Sequence, residues 1–230
     1  MKILNNFEQG SLEWAQQRCG KPTMSRAKDL LAGGRGITRQ NYILDLVAER
    51  LSGEPIDGYN GFDMQRGTFL EDWAIKAFEA ATSLNVDRVG FVLHDDERIG
   101  CSPDGFASDG AGVEVKCPKP RQHIKNIYAG GIDDYRPQAQ GGMWLCERDH
   151  WYMVSFCPWV KQYPLYIKRI TRNRDVIDAI ADSAMRAADE VDALVAKSID
   201  VKATAAISDI AQRAKAAWEN TIAMNSEVQL

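Results

Sequence analysis

A tight turn followed by an alternating segment constrains the fold of this chain most strongly. The motif Ser-Pro-Asp-Gly that begins at Ser102 is rich in turn-forming residues, and residues 112–117 then alternate around two valines, as a strand does. Side chains two positions apart on a strand point to the same face, so Glu114 and Lys116 should lie together. The turn could bring the Asp104 carboxylate beside them. The sequence therefore predicts two carboxylates and an ammonium that converge at one strand.

Such a cluster suits metal-dependent hydrolysis of a phosphodiester. Mg²⁺ prefers hard oxygen ligands and usually takes only one or two protein carboxylates, which Asp104 and Glu114 would supply. The carbonyl of Val115 could be a further ligand, and Lys116 could position the attacking water or help to deprotonate it. The alternative is a surface turn followed by an edge strand that carries an ordinary Glu–Lys pair. These residues alone leave both interpretations open.

The segments around this cluster resemble the phage lambda-type exonucleases, the YqaJ-like viral recombinase branch of the PD-(D/E)xK nucleases. Four segments match in order, from about residue 8 to about residue 170, whereas residues 33–60 match weakly and the C-terminal helices are not covered. The matching segments are Arg18-Cys19-Gly20 with Thr23-Met24-Ser25, Arg66-Gly67 with Glu71, Cys101 to Gly105 with Gly112 to Pro118, and Tyr135 to Gln140 with Met143-Trp144. The resemblance implies an α/β fold with a PD-(D/E)xK core, in which helices flank a mixed sheet.

The resemblance also implies a role for each matching residue. Asp104 and Glu114, with the Val115 carbonyl, correspond to the metal ligands, and Lys116 corresponds to the catalytic lysine. Glu71 matches an acidic helix residue that shapes the metal site, although a first-turn charge that stabilises its helix remains an alternative.

Further roles concern the substrate. Gln138 matches a glutamine near the attacking water or the scissile phosphate. Gln140 is too close to Gln138 for both to face the cleft, because neighbouring positions of this spacing lie on different faces of a helix. Arg18, Ser25 and Ser102 match positions that bind the 5′-phosphate.

The activity implied by the resemblance is processive 5′ to 3′ digestion of duplex DNA ends, which leaves 3′ overhangs for phage-type homologous recombination. Mg²⁺ would be the cofactor, with two ions expected and Mn²⁺ able to substitute. A homotrimer and a single-strand annealing protein as partner are implied, in a phage or prophage setting. A restriction or repair endonuclease of the same fold is one alternative. A catalytically idle DNA-end-binding protein is another, and the intact Asp104, Glu114 and Lys116 set counts against it.

The organisation predicted along the chain is one nuclease domain over residues 1–230. It comprises a DNA-end-binding segment (1–60), a catalytic core (61–171) and C-terminal helices (172–230), and residues 33–36 are interpreted as a mobile loop. Periodicity predicts helices at 67–81, 120–130 and 136–147, strands at 88–94, 99–101, 112–117, 151–156 and 165–170, and two C-terminal helices between 174 and 218 with a break near 197–201.

Charge and cysteine content narrow the function further. The net charge of −4 argues against a protein that coats DNA, but two basic patches flank the predicted site. The first patch contains Arg18, Lys21, Arg26, Lys28, Arg35 and Arg39, and the second contains Lys116, Lys119, Arg121 and Lys125.

No apolar run suggests a membrane span or signal peptide, so a cytoplasmic protein without membrane contact is expected. The five cysteines lack a Cys-x-x-Cys pair and the three histidines are scattered, so reduced thiols and no zinc are expected.

Overall fold

The computed structural model describes residues 1–32, 37–56, 62–197 and 205–227, so the predicted loop at residues 33–36 lies outside the described residues. Two short 3₁₀-helices, Met24–Arg26 and Gly131–Tyr135, supplement the longer elements. In chain order these are β1 (Lys2–Leu4), α1 (Leu12–Arg18), α2 (Ala27–Leu31), α3 (Ile37–Ser52), α4 (Phe62–Thr82), β2 (Val86–Asp87), β3 (Phe91–Leu93), β4 (Gly100–Cys101), β5 (Gly105–Ala107), β6 (Gly112–Lys116), α5 (Pro120–Tyr128), α6 (Arg136–Leu145), β7 (His150–Phe156), β8 (Leu165–Thr171), α7 (Arg174–Ala196) and α8 (Ala205–Glu227).

Two sheets form the β part of the fold. The larger has the strand order β2-β5-β6-β7-β8, in which β6 and β7 are parallel and all other neighbours are antiparallel. The smaller is antiparallel, with the order β1-β3-β4. The chain crosses from β6 to β7 through α5, the second 3₁₀-helix and α6, as a parallel pair requires. The predicted mixed sheet with flanking helices is confirmed.

The two faces of β6 have different neighbours, and this difference positions the candidate site. Val113 and Val115 pack in one buried cluster with Ala74 and Phe78 of α4. Because side chains alternate along a strand, Glu114 and Lys116 point to the opposite face, where α6 lies. Burial of the valines therefore fixes which way the charged residues face.

The indole of Trp151 on β7 lies between a strand and a helix. A Cβ atom added at Gly112 of β6 would overlap the Trp151 ring, and one added at Gly142 of α6 would approach it far inside normal contact. Trp151 is almost completely buried. Two glycines thus allow α6 to lie close against the sheet.

A buried polar network attaches α5 to β7. His123 is fully buried, with Nδ1 2.8 Å from Ser155 Oγ and Nε2 2.8 Å from the Tyr163 carbonyl oxygen. A carbonyl only accepts, so Nε2 must carry the hydrogen. Ser155 Oγ also accepts from Asn126 Nδ2 at 2.9 Å, which leaves its own hydrogen for His123 Nδ1. His123 is therefore a structural histidine with both ring nitrogens hydrogen-bonded.

Helix α7 carries an acidic outer face that binds arginines from distant segments. Arg39 of α3 makes two hydrogen bonds to Glu190, of 2.8 and 2.9 Å. Arg98, in the turn between β3 and β4, donates to Asp189 at 2.7 Å and to Asp192 at 3.0 Å. The opposite face of α7 is buried in the larger hydrophobic cluster. Ion pairs and apolar packing together hold α7 against the sheets.

The strand predicted over residues 88–94 is wrong in its extent. Only Phe91–Leu93 forms a strand there, β3, which pairs with β1, whereas the short strand β2 precedes the predicted start and pairs with β5 in the other sheet. Between them Arg88 turns away to pair with Glu71, and Gly90 lies so close to the Leu4 carbonyl that a side chain would not fit. Strands β1, β2 and β5 were not predicted. The other predicted strands, and the helices predicted at 120–130 and 136–147, agree with the structure to within a few residues.

The chain divides into two compact units. Met1–Val195 contains both sheets and all helices up to nearly the end of α7. Ala196–Leu230 contains α8, whose described side chains, residues 205–221, are all exposed. The break predicted near 197–201 falls almost wholly on residues outside the described part of the chain. No helix in the described segments is long and apolar enough to cross a membrane.

Candidate active site

Asp104 is attached to the middle of strand β6. Its backbone N–H donates to the Val113 carbonyl at 3.0 Å, and its side-chain Oδ2 accepts from the Val115 N–H at 2.6 Å. Asp104 and Glu114 are 7% and 5% exposed, so both carboxylates are buried. The turn thus holds one carboxyl group against the strand that carries the other.

One oxygen of Glu114 receives two donors. Lys116 Nζ lies 2.8 Å from Glu114 Oε1, and Gln138 Nε2 of α6 lies 2.6 Å from the same atom. The Lys116 ammonium also lies 5.1 Å from the centre of the Tyr135 ring, a cation–π contact. Strand β6, helix α6 and the turn that holds Asp104 therefore bring together four of the predicted catalytic residues.

The electrostatics of this cluster favour a bound cation. Burial raises the pKa of Asp104 well above its usual range, and the negative charges of Glu114 and Glu71 raise it further. Burial alone would lower the pKa of Lys116, but the charges of Glu114 and Asp104 outweigh it, so the pKa is raised and the ammonium is retained. Two buried carboxylates and one ammonium leave a net negative charge, which a bound cation would compensate.

The donor set fits Mg²⁺. Among the described residues, the second oxygen of Asp104 and of Glu114 accepts no hydrogen bond, so each can face an ion. No group of three or more histidine, cysteine or acidic side chains suited to a metal occurs in the described ranges. Two carboxylates and no softer ligand match the oxygen-only coordination of Mg²⁺, which keeps several waters. Val115 borders this position through its backbone, and its carbonyl as a ligand stays a prediction.

Glu71 lies on α4 and is engaged elsewhere. It forms an ion pair with Arg88, and its charge reaches Asp104 through space. Helix α4 begins at Phe62, earlier than the predicted residue 67, so Glu71 lies well inside the helix. The first-turn alternative for Glu71 is therefore wrong. The structure leaves Glu71 as a charged neighbour of Asp104 that is itself paired with an arginine.

The three residues predicted to bind a 5′-phosphate meet at one point. Arg18 donates to Ser102 Oγ at 2.9 Å and to Ser25 Oγ at 3.4 Å. Trp14, which sequence reasoning missed, donates its indole N–H to the same Ser102 oxygen at 3.0 Å. Because Ser102 Oγ accepts from both Arg18 and Trp14, its own hydrogen is available to an incoming acceptor. A guanidinium and two serine hydroxyls therefore converge at this point, with the Trp14 indole beside them.

The Arg18 guanidinium is held without a carboxylate. It stacks on the Trp14 ring at 4.2 Å, and burial lowers its pKa. No acidic side chain in the described part of the chain forms an ion pair with Arg18. A partly buried guanidinium without an ion-pair partner is a favourable place for a phosphate, which it can bind through two hydrogen bonds. Trp14 precedes Arg18 by one helical turn, and that spacing was the signal that could have identified it.

One small cavity joins the two clusters. On one side its wall includes Arg18, Ser25 and Ser102, which we call the anion pocket. On the other side it includes Glu114 and Gln138. A larger outer cleft of about 450 Å³ shares Ser25 and Gln138 with this cavity. A ligand in the cleft would therefore contact one residue of each cluster, Ser25 and Gln138.

The two neighbouring glutamines point to different places, as their spacing predicts. Gln138 contacts Glu114, whereas Gln140 is fully buried, donates to the Thr171 carbonyl at 2.8 Å and accepts from the Asn173 N–H at 2.9 Å. Gln140 thus fixes α6 to the start of α7.

Only part of the first predicted basic patch is available to bind a ligand. Arg26 pairs with Asp29 and Arg39 pairs with Glu190, so both have partners inside the chain. Lys28 lines the outer cleft, and Arg35 lies outside the described residues. Tyr135, a second site residue that sequence reasoning missed, lines the same cleft beneath Lys116.

Comparison with known proteins adds an independent line of observation. A family model described as the YqaJ-like viral recombinase domain matches residues 13–149. The crystal structure of the alkaline exonuclease LHK-Exo from Laribacter hongkongensis is 30% identical with a TM-score of 0.72, and the match covers 80% of this chain and 94% of that one. The same exonuclease in complex with dAMP gives 31% identity and a TM-score of 0.73, with the same coverage.

A phage related exonuclease from Haemophilus somnus 129PT shares the fold, with a TM-score of 0.64 at 18% identity, over 76% of this chain and 95% of that chain. A search of curated proteins finds no match. The solved structures confirm the predicted PD-(D/E)xK type of α/β fold.

Proposed function

The chain belongs to the YqaJ-like viral recombinase domain family, and we propose that it is a Mg²⁺-dependent exonuclease that digests duplex DNA from its 5′ ends and leaves 3′ overhangs. A nuclease role is supported by the family match and by the likeness to an alkaline exonuclease. The metal, the polarity and the product are our proposal. The geometry of the site supports them.

One observation carries this proposal: the anion pocket and the Glu114 carboxylate line the same small cavity. A 5′-phosphate held by Arg18, Ser25 and Ser102 would fix the end of a strand within reach of Glu114 and Gln138. The bond presented to the carboxylates is then always near the strand end. This arrangement favours stepwise removal of nucleotides from a 5′ end over cleavage in the middle of a duplex.

The residues of the chain divide the chemical work. Asp104 and Glu114, with the Val115 carbonyl, would hold Mg²⁺, and Glu71 would add negative charge near them. Bound Mg²⁺ would supply Lewis-acid polarisation of the phosphate and of the attacking water. Lys116 keeps its proton beside Glu114 and offsets the negative charge that develops on the phosphate. Gln138, fixed to Glu114, would orient the water or the phosphate through its amide.

The wider setting is also part of the proposal. A 3′ overhang is a substrate for a single-strand annealing protein, so we propose such a partner in phage or prophage recombination within the bacterial cytoplasm.

A homotrimeric ring would keep the enzyme on DNA between cleavage steps without tight binding. Light scattering tests this state: a mass about three times the 25.7 kDa of the chain supports the ring, whereas a monomeric mass combined with long uninterrupted digestion contradicts it.

The decisive experiment compares three duplex substrates with and without Mg²⁺. One carries a 5′-phosphate, one a 5′-hydroxyl, and one is a covalently closed circle. The proposal expects mononucleotide release only with Mg²⁺, fastest from the 5′-phosphorylated ends, and none from the circle. Cleavage of the circle would favour a restriction or repair endonuclease. Binding of ends without any release, in Mg²⁺ and in EDTA alike, would favour a non-catalytic end-binding protein.

A further inference from the structure

Asp134 joins two lysines across the outer cleft. Lys125 Nζ of α5 lies 3.2 Å from Asp134 Oδ2, and Lys28 Nζ of α2 lies 3.9 Å from Asp134 Oδ1. Asp134 and Lys28 both line the cleft, which continues through Ser25 and Gln138 into the catalytic cavity. One carboxylate thus occupies the point where two ammonium groups from different helices converge.

The arrangement of the two lysines around Asp134 suits the binding of a phosphodiester. Each lysine approaches a different oxygen of the carboxylate, as two lysines would approach the two non-bridging oxygens of a phosphate. The three side chains are 71%, 51% and 53% exposed for Lys28, Lys125 and Asp134, so their ion pairs are weak and open to exchange. A phosphate that enters the cleft can therefore replace the carboxylate at little cost.

We propose that Asp134 stands in for a backbone phosphate of the DNA strand and is displaced from Lys28 and Lys125 when the strand binds. The inference rests on the proposed function and assigns a specificity role to a residue outside the catalytic cluster. With Asp134 in place, the cleft offers little net positive charge to a polyanion that lacks a correctly placed end. Lys28 and Lys125 contribute fully to DNA binding only when Arg18 and its neighbours hold the 5′ end and align the strand.

The neighbouring residue provides a matched comparison. Asp133 accepts from Lys168 at 2.7 and 2.8 Å and from Arg136 at 3.0 Å, and it does not line the cleft. Asp133 and Asp134 are thus adjacent, equal in charge and different in surroundings. Asp133→Asn therefore controls for the loss of one negative charge in this region.

The test measures the dissociation constant for 5′-phosphorylated linear duplex DNA in EDTA, across a range of salt concentrations, for the full chain. A unit charge about 4 Å away in water is worth about 1 kcal/mol, so Asp134→Asn should bind about five-fold more tightly at low salt. The gain in affinity should shrink as salt is raised, because salt screens the repulsion between the Asp134 carboxylate and the phosphate. Asp134→Glu should restore wild-type affinity, and Asp133→Asn should change it less than two-fold.

Kinetics in Mg²⁺ separate this role from a structural one. Asp134→Asn should lower KM several-fold with kcat nearly unchanged. If Asp134 only held the lysines in place, its loss would weaken binding, and that result or an unchanged affinity overturns the inference while the proposed function stands. If the wild-type protein binds no DNA, the proposed function fails and the inference fails with it.

Discussion

Replacement of Trp14 by phenylalanine should reduce the preference for phosphorylated DNA ends. Phenylalanine keeps an aromatic ring beneath Arg18 but removes the indole N–H that donates to Ser102 Oγ at 3.0 Å. A neutral hydrogen bond contributes about 0.5–1.5 kcal/mol net, so kcat/KM on 5′-phosphorylated duplex should fall about two- to twelve-fold. Trp14→Ala also removes the cation–π contact, worth about 0.5–1 kcal/mol, and should cost about five- to seventy-fold in total.

The assay compares initial rates on 5′-phosphate and 5′-hydroxyl duplexes for each variant. The losses should be confined to the phosphorylated substrate, because the hydroxyl end presents no anion to Arg18 and Ser102. Trp73→Phe is the matched control, since Trp73 is 56% exposed on α4 and does not line the cavity. Equal losses on both substrates, or an unaltered ratio in Trp14→Ala, would refute the assignment of Trp14 to the anion pocket.

Three further predictions concern catalysis, metal binding and stability. Glu114→Gln and Lys116→Met should each lower kcat by about 100-fold or more with unchanged circular dichroism, and near-normal rates in either folded variant would contradict the site. Mg²⁺ at about 100 times its Kd should stabilise the wild type by about 2.7 kcal/mol in thermal unfolding, and Asp104→Asn should abolish most of that shift. Arg98→Ala should lower the free energy of unfolding by about 1 kcal/mol in low salt and by less in high salt, because its ion pairs with Asp189 and Asp192 are partly exposed; an effect independent of salt would argue against this cause.

The parts of the site that depend on local chain geometry could be predicted from sequence. Alternation along β6 places Glu114 and Lys116 on one face, and they form a 2.8 Å contact there. Helical spacing in α6 directs Gln138 to Glu114 and Gln140 away from it. The period of a strand or a helix is intrinsic to the backbone, so these relations follow from the order of residues.

The parts that depend on distant partners could not be predicted. Strand β3 pairs with β1, some ninety residues earlier, and this pairing limits to residues 91–93 the strand that was predicted over residues 88–94. The ion pair of Arg88 with Glu71 likewise joins segments whose contact appears only in the folded chain. The length of α4 and the position of Glu71 within it follow from packing against β6, β7 and β8 and have no distinct sequence signal.

The indole of Trp151 acts as a spacer that sets the width of the active site. Gln138 lies one helical turn before Gly142 on α6, so the distance between that helix and the sheet also determines the separation of Gln138 from Glu114. A methyl group at Gly142 would push the helix outward and lengthen the 2.6 Å hydrogen bond without touching any reacting group. Variants at Gly142 would therefore alter catalysis by changing the separation of Gln138 from Glu114. They offer a way to vary the width of the site while its reacting groups stay the same.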